Sequence, residues 1–205
     1  MIYIICRDRS EIKYDIPKNA KIIVNTCSDS FFGEIAAWRD IYIDAKFNDY
    51  KTVGIYQARR AFHKDLKILS DDDFKDDAIY VSAKYNCHGT SLYNQFVECH
   101  DRDEKLLKEV LPSSLLTIAE NTGFLFPHSM FYLPFDVFED MMKFIWSFTE
   151  PMQKFRQDDV KIFSFLTERL CTLYFIAAKK NVIETDCICF DKNDGHIIGT
   201  KNGLP

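Results

Sequence analysis

The stretch that decides the fold is residues 48–62, which read Asn-Asp-Tyr-Lys-Thr-Val-Gly-Ile-Tyr-Gln-Ala-Arg-Arg-Ala-Phe. An apolar run from Thr52 to Tyr56 follows a polar turn, which predicts a short buried strand. Arg59 and Arg60 come directly after this strand. Ligands of open α/β sheets bind beyond the carboxyl ends of the strands, and a guanidinium group matches phosphate oxygens in shape and charge. The stretch therefore predicts a diphosphate-binding arginine pair, with two surface arginines paired to nearby acids as the alternative.

Composition indicates one globular domain, residues 1–205. Of the 205 residues, 47% are hydrophobic and 28% are charged, which is ordinary for a folded chain. The net charge is −5 and the chain has no long basic run, so nucleic acid is not expected as its partner. The cysteines are odd in number and scattered through apolar segments, which favours reduced thiols.

The hydrophobic segments are too short to cross a membrane. No uninterrupted apolar run reaches the ~20 residues that a spanning helix requires. The apolar start of the chain is cut short by Arg7, Asp8 and Arg9, unlike a signal peptide. We therefore expect a cytoplasmic protein without a transmembrane segment, and peripheral contact with the inner face of the membrane is the alternative.

Alternating patterns along the chain predict an α/β fold. Strands are predicted at residues 2–6, 22–25, 52–56, 78–82 and 130–133. Helices are predicted at residues 32–46, 91–98, 101–110, 113–122, 135–150 and 164–180. Ser30 is the expected cap of the first helix, and residues 186–200 are expected to form a β-hairpin. The β–α–β order favours a parallel sheet flanked by helices, followed by the C-terminal helix and hairpin.

Five short motifs follow one another in the order of a known family. They are Gly33-Glu34-Ile35-Ala36-Ala37, then Tyr50 to Phe62, Gln95-Phe96-Val97-Glu98-Cys99-His100, Ser129-Met130-Phe131, and Phe165-Leu166-Thr167-Glu168-Arg169-Leu170. Together they resemble a glycosyltransferase-like family of bacterial capsule and lipopolysaccharide gene sets, the domain of unknown function four-four-two-two. The resemblance extends from about residue 30 to 175. It departs from the family at Gln57-Ala58, where the family has His-Tyr, and at Ser129, where it has Asn.

The resemblance implies a single Rossmann-like nucleotide-binding sheet of the GT-A-like type. It also implies transfer of a sugar, hexosyl or galactofuranosyl, from a nucleotide-sugar donor to a glycan or lipid-linked glycan acceptor of a surface polysaccharide. The changed residues Gln57 and Ala58 leave an alternative open, which is a non-catalytic glycan- or nucleotide-binding protein on the same fold. A thiol-based hydrolase is a third interpretation.

The departing nucleoside diphosphate needs a positive partner. Many enzymes of the type that the resemblance implies hold a metal with Asp-x-Asp at a strand end. The end of the strand predicted at residues 52–56 carries no acid. We therefore expect Arg59, Arg60 and Gln57 to bind the donor diphosphate, without an obligatory metal or other cofactor. A divalent metal held by Asp71-Asp72-Asp73 is the alternative, and a solvated turn is the simpler interpretation of that cluster.

An inverting transfer also needs a group that takes the proton of the acceptor hydroxyl. Glu34, Glu168 and His100 are the predicted catalytic residues, with Asp101 as a further candidate. Each has a structural alternative. Glu34 could interact with the helix dipole, and Glu168 and Arg169 could hold each other or Arg59 in place. His100 is a candidate through the resemblance, and its own sequence context favours a structural histidine. Cys187 and Cys189 lack a partner pair at zinc-like spacing, so buried thiols are expected there.

Overall fold

A computed structural model of the chain shows a curled mixed β-sheet flanked by helices. It describes residues 1–29, 31–100, 104–156 and 162–201, except for the side chains of 99, 100 and 104–106. The strands are β1 (Ile2–Cys6), β2 (Lys21–Val24), β3 (Thr52–Gln57), β4 (Arg60–Lys64), β5 (Lys67–Ile68), β6 (Tyr80–Ser82), β7 (Tyr85–Asn86), β8 (Phe124–Leu125), β9 (Phe131–Pro134), β10 (Ile183–Thr185), β11 (Cys187–Phe190) and β12 (Ile197–Gly199). The helices are α1 (Ile35–Phe47), α2 (Leu92–His100), α3 (Glu104–Val110), α4 (Ser113–Asn121), α5 (Phe135–Trp146), α6 (Thr149–Gln153) and α7 (Ile162–Ala177).

The sheet is mixed rather than parallel, which corrects the sequence expectation. β2, β1 and β3 run parallel, but β9 pairs antiparallel with β3, and β6 and β10 follow beyond it. The chain enters β9 from a 3-10 turn, Pro127–Ser129, that lies beside the carboxyl end of β3. For β9 to run parallel to β3, the chain would first have to cross back to the end of the sheet where β3 begins. β9 instead starts beside the carboxyl end of β3, so it runs antiparallel to β3.

The arginine pair lies where the chain turns back from β3 into β4. β3 ends at Gln57, and β4 begins at Arg60 after a two-residue turn. The Ala58 amide donates to the Ile5 carbonyl at 3.0 Å, and the Phe190 amide donates to the Arg59 carbonyl at 2.9 Å. β4 pairs with β11, so the predicted C-terminal hairpin, β11 with β12, extends the sheet beside the turn. The backbone of the turn is thereby held from both sides.

Both faces of the central strands are buried, and the aromatic residues, which make up 15% of the chain, contribute to the core on each face. Tyr3 and Ile5 face the helices, where Trp38, Phe131 and Phe138 contribute to the main core. The opposite face forms a second buried cluster together with residues of β4 and β11. Its members include Ile2, Ile4, Tyr56, Phe62, Phe74, Tyr132 and Phe190. Burying a large side chain of this kind contributes roughly 1.5–3 kcal/mol. The six cysteines whose side chains are described are free thiols.

None of the helices in the described part of the chain is both long and apolar enough to cross a bilayer. The longest helix described above, α7, has 16 residues and buries most of its side chains against α5, α4 and the Pro127–Ser129 turn. Its apolar surface is therefore used for packing inside the protein.

Candidate active site

A cleft of about 1160 Å³ opens at the carboxyl ends of the parallel strands. Arg7 follows β1, Asn25 follows β2, and Gln57 ends β3, and all three line this cleft. The Pro127–Ser129 turn and α7 form the opposite wall through His128 and Glu168. The ends of the strands bring charged side chains together here, at the usual ligand-binding edge of an α/β sheet.

The cleft collects most of the residues that the sequence singled out. Gln57, Arg59, Arg60, Glu34 and Glu168 all line it, although they come from three separate stretches of the chain. His100 is the last residue of α2, and its side chain lies outside the described residues, as does Asp101 entirely. The acidic run Asp71-Asp72-Asp73 forms a 3-10 turn that does not line the cleft, and Asp73 accepts from the Ser70 amide and hydroxyl at 2.7 and 2.8 Å.

Glu34 is placed by the residue before it. Gly33 adopts a φ of +50°, and a Cβ at this position would lie 2.3 Å from the Ser164 hydroxyl oxygen. Glycine therefore lets the start of α1 approach α7 closely. Glu34 precedes α1 but forms no side-chain cap of that helix. Its carboxylate instead accepts from Gln57 Nε2 at 3.1 Å, so the group is turned toward the strand end.

The surroundings of Glu34 favour its protonated form. Solvent reaches Glu34 through the cleft, but the walls carry enough protein atoms to weaken hydration of the charge. This desolvation, together with the negative charge of Glu168, raises the pKa of Glu34 from its ordinary value near 4.5 to about 7. Arg60, Gln57 and Arg7 oppose the increase. A carboxyl that titrates near neutral pH can accept and release a proton under ordinary conditions.

The Gln57 side chain joins the acidic and basic parts of the site. Its Nε2 donates to Glu34 and to the His128 carbonyl oxygen, and its Oε1 accepts from Arg60 Nη1 at 3.3 Å. An amide is suited to this position because it donates and accepts at once. The three contacts orient Glu34 and Arg60 relative to each other.

The Pro127–Ser129 turn connects Gln57 to α7. His128 and Ser129 have φ values of 72° and 51°, an unusual conformation for non-glycine residues. The His128 amide donates to Glu168 Oε1, while its carbonyl accepts from Gln57. Glu168 is also held by Arg169 Nη1 at 2.8 Å, and Arg169 is 5% exposed. Glu168 and Arg169 are thus paired, as the structural alternative predicted.

Arg59 and Arg60 are half-buried in the cleft wall. Arg60 Nε is buried and has no hydrogen-bond partner among the residues that the structure describes. Arg7 and Lys192 line the same cleft. A buried N–H without a partner is costly, and an incoming oxyanion would supply the missing acceptor.

A smaller side pocket of about 550 Å³ adjoins the cleft. It shares five wall residues with the cleft, which are Asn25, Thr26, Cys27, Asp29 and Phe32. Its remaining lining residues are Ala36, Arg39, Asp40, Trp146 and Thr149. The pocket therefore runs along one side of α1, starting beside the end of β2.

Comparison with solved structures finds a protein of similar fold. The apo structure of WbbM, a bifunctional glycosyltransferase, superposes with a TM-score of 0.68 at 12% sequence identity. The chain has a glycosyltransferase-like fold. The similarity covers 91% of this chain and 44% of that one, so this chain spans less than half the length of its structural neighbour. No family model and no curated protein sequence matches the chain.

One group in the described part of this glycosyltransferase-like fold has the spacing of a metal site. Asp191, Asp194 and His196 lie together in the turn between β11 and β12. Asp194 and His196 are exposed and bond to each other at 2.6 Å. Exposed acidic groups of this type are common without an ion, so the cluster is no evidence for a metal.

Sequence reasoning missed several residues of the site. Arg7 could have been found, because it follows a predicted strand that runs parallel to β3 and must therefore reach the same edge. Lys192 and His128 gave no usable signal, since each sits in a turn whose position depends on distant packing. Asn25 was predicted only as the end of β2, and its side chain donates to the Gly33 carbonyl at 3.0 Å.

Proposed function

We propose that the protein is a glycosyltransferase that moves a sugar from a nucleotide-sugar donor to a glycan acceptor. The observation that carries the proposal is the meeting of Arg59, Arg60 and Glu34 in one cleft of a glycosyltransferase-like fold. Two guanidinium groups offer charge-assisted hydrogen bonds for a diphosphate, and a carboxyl with a pKa of about 7 offers a proton acceptor. The motif resemblance supports an acceptor belonging to a bacterial surface polysaccharide.

The chemistry can be assigned to named residues. The acceptor hydroxyl oxygen forms a bond to the anomeric carbon of the donor sugar, and the bond from that carbon to the diphosphate oxygen breaks. The ionised carboxylate of Glu34 accepts the proton of the acceptor hydroxyl. Arg59 and Arg60 stabilise the negative charge that develops on the departing nucleoside diphosphate, and stabilisation of developing charge is usually the largest single contribution to catalysis.

We assign Gln57 and Glu168 positioning roles. The amide of Gln57 already bonds to Glu34, Arg60 and the His128 carbonyl, so its contacts orient the reacting groups. Glu168 is engaged by Arg169 and the His128 amide, and its charge helps to raise the pKa of Glu34. Gln57 therefore acts through Glu34 and Arg60, and Glu168 acts through Glu34.

The arginine pair is tested by binding of nucleoside diphosphates to single variants. We expect Arg59→Ala and Arg60→Ala to weaken binding by about 1.5–3 kcal/mol each, the range for hydrogen bonds to charged groups. Arg9→Ala is the matched control, because Arg9 is exposed and does not line the cleft. Calorimetric titration with a panel of nucleoside diphosphates gives the affinities. Equal affinity in all three variants would contradict the proposed role of the pair.

Turnover is tested with the corresponding nucleotide sugars. Release of nucleoside diphosphate that depends on Glu34 would support the transferase. Tight binding of nucleotides with no release from any donor would instead favour the alternative, a nucleotide-binding protein that kept the fold without the reaction.

A further inference from the structure

We infer that the side pocket beside α1 binds a neutral sugar ring of the acceptor. The inference rests on the proposed transferase function and adds the place and the chemical class of the second substrate. Neither Glu168 nor any residue from Gln57 to Arg60 lines the side pocket, so the pocket does not overlap the proposed diphosphate site. The main cleft, at about 1160 Å³, has room for a complete nucleotide sugar.

The position of the side pocket suits a group that must reach Glu34. Ala36, Arg39 and Asp40 line it, and their spacing of three and four residues places them on one side of α1. Phe32 lines it from the turn that precedes the helix. Glu34 stands at the start of α1 and faces the adjoining cleft. A sugar ring in the pocket would therefore extend a hydroxyl across the shared wall toward the proton acceptor.

The lining of the side pocket combines aromatic faces with hydrogen-bonding groups. Phe32 and Trp146 lie 5.8 Å apart between ring centroids, inclined at 47°. The negative face of an aromatic ring attracts the weakly positive C–H groups of a sugar. Thr149 Oγ1 is buried and has no hydrogen-bond partner among the described residues, so a ligand hydroxyl would satisfy it.

The charges of the side pocket are balanced, which favours a neutral ligand. Asp40 pairs with Arg39 at 3.3 Å, and Asp29 pairs with Arg156. Paired carboxylates keep lone pairs that accept from sugar hydroxyls, while their net charge neither attracts nor repels. An anionic group would find its best partners at Arg59 and Arg60 instead.

The test uses the full chain and simple neutral saccharides: methyl glucoside, methyl galactoside and lactose. Binding is followed by saturation-transfer NMR, and its place by fluorescence, since Trp146 is one of only two tryptophans in the chain. We expect at least one saccharide to bind and to change the emission, and Trp146→Phe to remove that change. Ala36→Phe fills the pocket and should weaken saccharide binding about tenfold or more, with nucleoside diphosphate affinity unchanged.

Ala177→Phe is the matched control, because Ala177 is exposed at the end of α7 and lines neither cavity. Asp40→Asn is a second variant, at an exposed position, and it should also weaken saccharide binding. It provides the test when Ala36→Phe does not fold. Absence of binding by every saccharide, or binding that neither Ala36→Phe nor Asp40→Asn affects, would overturn the inference. Weaker nucleotide binding in Ala36→Phe would also overturn it, because the pocket would then hold part of the donor. Failure of the transferase proposal looks different, since it concerns nucleotide binding at Arg59 and Arg60.

Discussion

At the scale of single residues, the proposed function depends on the protonation of Glu34. Desolvation and the charge of Glu168 raise the pKa of its carboxyl to about 7. The ionised form that accepts a proton is therefore absent at acidic pH and becomes populated as the pH rises through this value. A glutamate with the ordinary pKa near 4.5 would show no such change near neutrality.

We expect transfer activity to increase as the pH rises through about 7. Glu34→Gln should lower turnover by about 10²–10⁴-fold, the usual contribution of a general base, while leaving nucleoside diphosphate binding in place. The measurement is a pH profile of nucleotide release for both proteins, with binding followed separately by calorimetry. A profile that is flat between pH 5 and 9, or a Glu34→Gln variant that retains full turnover, would contradict the role of Glu34.

The same pKa makes a prediction about stability. Between pH 4.5, the ordinary pKa, and about pH 7, the raised pKa, Glu34 is mostly protonated in the folded protein. In the unfolded chain the same carboxyl is mostly ionised in this interval. Unfolding therefore releases a proton in this interval, and stability falls as the pH rises across it. Thermal unfolding should show Glu34→Gln gaining stability relative to the native protein from pH 5 to pH 8. A constant difference would mean that the pKa of Glu34 is not raised.

At the scale of elements, the start of α1 and the first turn of α7 must approach closely to form the candidate site. Gly33 faces Ser164 across this contact, with the Gly33 carbonyl bonded to Asn25 and the Ser164 hydroxyl donating to the Phe31 carbonyl at 3.1 Å. Because Glu34 follows Gly33 directly, any displacement of the contact moves the proposed base.

Gly33→Ala is expected to destabilise the protein by about 1–3 kcal/mol through overpacking, and to lower activity with it. The matched control is Gly89→Ala, because Gly89 also has a positive φ, +82°, but a Cβ there meets nothing within 4 Å. The control carries the conformational cost alone. Urea unfolding of both variants measures the difference. Equal destabilisation would show that the contact with Ser164 does not matter.

Local sequence patterns predicted most elements but not the way they join. The strands at residues 2–6 and 52–56 and the helix α7 were expected because their apolar runs and stripes are long and unambiguous. The direction of β9 was wrong, and the pairing of β7 with β8 was missed, since both depend on how distant segments meet. The predicted cap at Ser30 lies outside the described residues.

The candidate site was predictable where it sits on strand ends. Arg59 and Arg60 follow an obvious strand, and Glu34 opens an obvious helix, so topology alone brings them near one another. The contact of Gln57 with the His128 carbonyl could not be predicted, because it requires two residues with positive φ in a turn without glycine. Such strained conformations persist only where the surrounding structure enforces them.

At the scale of the whole molecule, the cleft and the side pocket share a wall that carries an exposed thiol. Cys27 lines both cavities, and the other cysteines with described side chains are buried. Alkylation of the native protein should therefore modify Cys27 before the other cysteines whose side chains are described. We expect a bound nucleotide sugar to slow this reaction, because it fills the cleft beside the thiol. Mass spectrometry of the labelled peptide measures the rate, with Cys27→Ser as the control, and an unchanged rate at saturating nucleotide would place the nucleotide elsewhere.

The proposed function depends on the turn between β3 and β4 presenting its arginines to a diphosphate. A crystal structure with a bound nucleoside diphosphate tests this claim most directly. We predict phosphate oxygens within hydrogen-bond distance of the Arg59 and Arg60 guanidinium groups, with Glu34 facing the position of the donor sugar. A nucleotide bound outside the cleft, or bound in it with its phosphates away from both arginines, would contradict the account.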